Sequence, residues 1–129
     1  YFESFRAWFD AIVARVLFVE AEFFDRTFGF FGHVDLVAQL VDRRIVVVDL
    51  KTPAIESPTW GAQCAAYRHL VNLHFEQTGA DIRIHAVDGC LALRLKANGR
   101  PAKAIVYQYT ENDWSAFLSA LNAKRYFTK

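Results

Sequence analysis

The chain has 129 residues, 53% of them hydrophobic and 16% aromatic, which fits one domain around one core and excludes a disordered chain. Its apolar runs are broken by charges well before membrane-spanning length and no secretory signal is visible, so no membrane segment is expected and a cytoplasmic location is. Net charge is only +1, but residues 1–82 carry −4 and residues 83–129 carry +5, so the second half suits either a phosphate backbone or an ordinary solvated face.

Phe2, Phe5, Phe9, Ile12, Val13 and Val16 recur at helical spacing and predict an amphipathic helix over 2–16. Leu17 to Phe24 is β-branched and aromatic and reads as a strand, with a turn at Arg26 to Gly29. Residues 30–40 read as extended. Asp42-Arg43-Arg44 reads as a hairpin turn into the apolar run Ile45 to Leu50, a strand covered on both faces.

Ser57 is the expected N-cap and Pro58 the first position of a helix running to Thr78, with Gly79 as its stop. Strands are expected at Ile82 to Val87 and Leu91 to Leu95, joined by an Asp88-Gly89 hairpin turn. Asn98 to Pro101 is a further turn, Ala104 to Tyr109 a last strand and residues 111–125 a closing helix. The order α-β-β-β-α-β-β-β-α describes an α/β or α+β domain: a central mixed β-sheet flanked by helices. A single domain over 1–129 is expected, as the ordered part of a longer chain, since residue 1 is Tyr and Met is absent. Cys64 and Cys90 lack metal-ligand spacing and read as reduced core residues.

The chemistry concentrates between Gly32 and Tyr67. Gly32-His33-Val34-Asp35 puts a carboxylate on one strand, and Asp49-Leu50-Lys51 puts a carboxylate and an amine at the end of the next. Side chains alternate along a strand, so Asp49 and Lys51 share a face. Charged groups ending an apolar strand are costly to bury without partners. Metal-assisted phosphodiester hydrolysis uses this set. Two carboxylates hold Mg²⁺, the Leu50 carbonyl adds a ligand, and Lys51 neutralises transition-state charge and positions the attacking water.

Gly32-x-x-Asp35, Asp49-x-Lys51 and Gln63-x-x-x-Tyr67, in that order, resemble the PD-(D/E)xK nuclease superfamily, most closely its RecB-like exonucleases and related phage proteins. The resemblance spans roughly residues 16–75. It implies a restriction-endonuclease-like core, metal binding by Asp35 and Asp49, catalysis by Lys51, and support from Gln63 and Tyr67. It further implies Mg²⁺, replaceable by Mn²⁺, and DNA as partner. It leaves open a homo-oligomer or a larger recombination or repair complex. The family's further ligand on a preceding helix has no clear counterpart. Glu3, Asp10 and Glu20 are candidates, and Glu20 fits best by its distance before Gly32.

Plainer readings stand beside these. Asp35, Asp49 and Lys51 form a buried salt bridge, Gln63 lies on a solvated helix face, and Tyr67 packs in the core. His33 is a strand residue at the border of the site. His69, His74 and His85 are structural or exposed. Trp60 stacks on a base or packs, and Arg68 touches phosphate or solvent. At the level of function, an endonuclease or a non-catalytic DNA-binding or protein-interaction domain remains the alternative to an exonuclease.

Two geometric expectations follow. If both carboxylates reach one metal, Asp35 must oppose Asp49 or Lys51, which requires an odd-numbered loop near 41–44 or a bulge. Gln63 and Tyr67, i,i+4 on one helix face, must point to the Asp49–Lys51 strand end.

Overall fold

The computed structural model describes residues 1–52, 57–79, 87–108 and 111–128. Its elements are α1 (Phe2–Ile12), β1 (Val13–Asp25), β2 (Phe30–Leu40), β3 (Ile45–Lys51), α2 (Trp60–Gln77), β4 (Gly89–Arg94), β5 (Lys103–Tyr107) and α3 (Glu111–Phe127), with a short 3₁₀ turn at Ala97–Gly99. The five strands form one mixed sheet in the order β1-β2-β3-β4-β5. Among the described strands only β3 and β4 run parallel, the pairing that needs a crossover, and α2 lies between them in sequence. The expected α+β domain with a mixed central sheet is what the chain forms.

The first helix is shorter than its periodicity suggested. Val13 pairs with Leu40 and opens β1, because β-branched Val13 and Val16 gain more from a strand partner than from a fourth helical turn. Phe5, Trp8 and Ile12 face the sheet, whereas Phe2 is exposed.

β3 is apolar on both faces for a visible reason. Ile45 and Val47 pack under α2 with Val37, Cys64, Leu70 and Val71. Val46 and Val48 pack on the opposite face, with α1 residues against their cluster.

The loop after β2 has an odd number of residues. Gln39 faces Ile45 and the Leu40 N–H donates to the Arg44 carbonyl at 2.8 Å, leaving Val41, Asp42 and Arg43 as the loop. Arg43 takes a positive φ of 75°, and Asp42 accepts the Arg44 N–H at 3.1 Å.

Ser57 is not the N-cap of α2. Thr59 holds that position without a side-chain cap, while the Ser57 hydroxyl accepts the Thr59 N–H at 3.2 Å and leaves Pro58 in the preceding turn. Gly79, at φ +73°, does end the helix region.

Asp88-Gly89 is not a hairpin tip either. Gly89 begins β4, whose two neighbours are β3 and β5, and Asp88 is tied to Ile45 through a side-chain bond of 2.8 Å and a backbone bond of 2.7 Å. The strand expected at 82–87 lies, save Val87, outside the described residues. Cys64 on α2 and Cys90 on β4 are buried as expected but are joined as a disulfide rather than left reduced. Packing of α2 on β4 brings their Cα atoms to 5.5 Å, a separation a disulfide accepts.

Candidate active site

The site forms where the β2–β3 ladder ends. The last paired residues are Leu36 and Val48, one position before Asp35 and Asp49. Asp35 does not continue the ladder. Its Oδ2 accepts the Leu50 N–H at 2.8 Å, which holds the carboxylate at the strand end beside Asp49. The three-residue loop at 41–43 sets the register up to Leu36 and Val48, and beyond it the bond to Leu50 fixes Asp35.

β1 contributes at the same level. Val19 faces Leu36 and Ala21 faces Val34, which places Glu20 across from Asp35. Glu20 has a φ of 47°, a conformation costly for a residue with a Cβ. The strands change face here. Phe18 and Ala21 on β1, and Val34 and Val37 on β2, pack on one cluster although three-residue spacing normally puts side chains on opposite faces. Glu20, Asp35 and Leu50 line one cavity of about 290 Å³ with Phe5, Phe9 and Leu36.

Asp49 is the buried acid. It and Lys51 expose only 11% and 17% of their side chains, and Lys51 Nζ lies 2.8 Å from Asp49 Oδ2. Beyond that ion pair the oxygen has no further hydrogen-bond donor among the described residues. Burial pushes the Asp49 carboxyl above its ordinary value. Lys51 pulls it back, and the Asp35 carboxylate beside it adds to the rise.

Lys51 is held on three sides. Besides Asp49 it donates to Gln63 Oε1 at 3.0 Å, and Nζ stands 5.3 Å from the centre of the Trp60 ring. Gln63 therefore faces the strand end and not bulk solvent. Tyr67, one turn on, lies close enough to the acids for their charges to matter. Burial first, then the charges of Asp49 and Asp35, push its hydroxyl above the ordinary value, so it stays a neutral O–H donor at neutral pH.

Gly32 has a packing reason to be glycine. A Cβ there would sit 2.8 Å from Leu70 Cδ1 and 3.1 Å from Tyr67 Cε1. The motif's glycine thus lets the helix carrying Gln63 and Tyr67 lie close on β2.

The structure brings Asp35, Asp49, Leu50, Lys51, Gln63 and Tyr67 together. Glu20 shares a strand level and a cavity with Asp35, but among the described residues no three His, Cys, Asp or Glu side chains gather at metal-binding spacing. The acid pair itself suits a hard cation: two carboxylates side by side, one of them buried and held by the Lys51 ammonium.

Several neighbours have partners within the fold. Trp60 is buried under Lys51. Arg68 donates to the Val87 carbonyl at 3.0 Å. His74 packs edge-on against Phe18 and Phe23.

Sequence reasoning missed Asp25. It is buried, accepts the Thr27 N–H at 2.8 Å and meets His69 Nε2 at 2.6 Å. Burial alone would raise its carboxyl; His69 and the Thr27 and Phe28 N–H groups outweigh that and hold it below its ordinary value. Nothing local announces a pair separated by 44 residues, though an acid directly before a turn is an Asx signal.

A family model describing the PD-(D/E)XK nuclease superfamily matches residues 1–127. No curated protein matches the chain. Among the described residues no helix is long and apolar enough to cross a membrane.

Proposed function

The chain belongs to the PD-(D/E)XK nuclease superfamily, and on that premise we propose that it is a Mg²⁺-dependent deoxyribonuclease that degrades DNA from an end, in phage or bacterial recombination, repair or defence. The observation that carries this is the meeting of the Asp35 and Asp49 carboxylates at the strand end, with the Lys51 ammonium 2.8 Å from the buried Asp49.

In this reading Asp35 and Asp49 hold the ion, with the Leu50 carbonyl and Glu20 as additional ligands. When bound, Mg²⁺, or Mn²⁺ in its place, offsets charge on the scissile phosphate and acidifies a bound water. Leu50 has a second part, since its N–H fixes the Asp35 carboxylate. Lys51 places a cation where charge develops on the phosphate oxygens and orients the attacking water. Gln63 and Trp60 hold that ammonium in one position, which removes a reorganisation cost from the chemical step. Tyr67 offers its hydroxyl as a hydrogen-bond donor to a phosphate oxygen.

The choice of exonuclease rests on Gln63 and Tyr67, which resemble that branch's helix motif and which face the acids. The test is incubation of purified protein with linear and circular DNA in Mg²⁺ or EDTA. Loss of linear DNA only, and only with metal, is expected. Nicking of circles would assign an endonuclease, and no cleavage with any metal would leave a non-catalytic domain.

A further inference from the structure

Two adjoining cavities run away from the Gln63–Tyr67 side of the site. The first, about 300 Å³, is lined by Phe30, Gly32, His33, Gln63, Tyr67 and Phe117 among others. The second, about 440 Å³, shares Phe30, Phe31 and Phe117 with it and ends at Lys124 on α3. The lining residues of both include no Asp or Glu. Phe31 is 65% exposed, and its register partner on β1, Phe24, is 54% exposed. Large aromatics left in water at one end of a hairpin carry a hydration cost that packing elsewhere does not remove.

We infer that this groove binds the unpaired strand of the substrate, its bases stacking on Phe31 and its backbone passing Lys124. This rests on the nuclease reading of the site and adds the substrate class: DNA that is single-stranded, or frayed, next to the bond that is cut. Three features favour this occupant. The groove is continuous with the candidate active site through Gln63, whose oxygen holds Lys51. Its walls are aromatic and apolar, which suits base faces, since every base has a π-face. Among the described residues its charged lining residue is a cation, Lys124, the sign a phosphate backbone needs. A paired duplex keeps its base faces stacked inside and has none to offer Phe31.

The test uses the full chain, a short fluorescein-labelled oligo-dT, and a blunt hairpin duplex of similar charge, at low salt in EDTA, where metal-dependent cleavage cannot occur. Phe31→Ala should weaken oligo-dT binding about 5- to 100-fold, the loss expected for one stacked base, with little change for the duplex. Phe31→Trp should retain tight binding. Lys124→Ala should flatten the salt dependence by about one phosphate contact. In active protein, Phe31→Ala should raise KM on single strands and leave kcat, and hydrolysis of bis(p-nitrophenyl) phosphate, unchanged. Phe31 is exposed, so circular dichroism should show an intact fold. Equal binding of oligo-dT by wild type and Phe31→Ala would overturn the inference. So would a dimer, seen by sedimentation, that Phe31→Ala dissolves without affecting oligo-dT. Binding that depends on Phe31 in a protein that cuts nothing would support the groove while sinking the nuclease reading.

Discussion

Removing the Lys51 ammonium should damage the fold as well as the chemistry, and the two effects separate. Lys51 and Asp49 expose 17% and 11% of their side chains, and Nζ lies 2.8 Å from Oδ2. Lys51→Ala leaves a buried carboxylate beside Asp35, which has the same sign. Breaking one side of a buried pair costs about 3–5 kcal/mol, and the partial exposure puts this pair near the lower end, about 3 kcal/mol. In an Asp49→Asn background no buried charge is stranded. Lys51→Ala then loses mainly the Gln63 hydrogen bond and the Trp60 contact, about 1–1.5 kcal/mol together. The double-mutant cycle should therefore show a coupling of about 2 kcal/mol. pH sharpens the test. The Asp49 carboxyl is already raised by burial and loses its counterweight without Lys51. A raised carboxyl destabilises the fold above its ordinary value of 3.8, where the unfolded chain ionises freely, and not below. The Lys51→Ala deficit should thus be largest at neutral pH and shrink toward acid. Urea denaturation of wild type, both single variants and the double variant in EDTA, at neutral and acid pH, gives the numbers. Additivity within about 0.5 kcal/mol would refute the reasoning.

Gly32→Ala should lose about 1–3 kcal/mol by overpacking against Leu70 and Tyr67, read by denaturation, and this increment should be smaller when measured in a Leu70→Ala background. Asp25→Asn should cost about 1–3 kcal/mol at neutral pH because buried partners lose an acceptor. Since the Asp25 carboxyl is lowered, its contribution is present above the ordinary carboxylate value and lost as pH falls through the lowered one. The melting-temperature gap to wild type should close over that acid range. Tyr67→Phe should preserve stability but slow cleavage, and an unchanged rate would confine Tyr67 to packing.

Much of the site was legible because strand geometry constrains it. For Asp35 and Asp49 to share a face, the loop between their strands had to be odd or a bulge had to intervene, and the Val41 to Arg43 loop is odd. The i,i+4 spacing of Gln63 and Tyr67 likewise required one helix face, and Gln63 reaches Lys51. Long-range and strained features were not legible. Trp60 beneath Lys51, His69 on Asp25 and Cys64 bonded to Cys90 are tertiary meetings with no local signature. The positive φ of Glu20 breaks the alternation that any strand pattern assumes. The end of α1 at Ile12 was misplaced because Val13 and Val16 satisfy a helical pattern in isolation and a sheet partner in the fold.

The most direct measurement is DNA degradation by wild type, Asp49→Asn and Lys51→Ala across a Mg²⁺ titration, with circular dichroism to confirm folding. A neutral amide is a poor ligand for a hard cation, so Asp49→Asn should be nearly inactive at low Mg²⁺ and partly rescued by excess Mg²⁺ or Mn²⁺. Lys51→Ala should lose about 10²–10³ in rate, the loss typical of one preorganised electrostatic contact, and no metal concentration should restore it. Undiminished cleavage by folded Lys51→Ala would contradict the account.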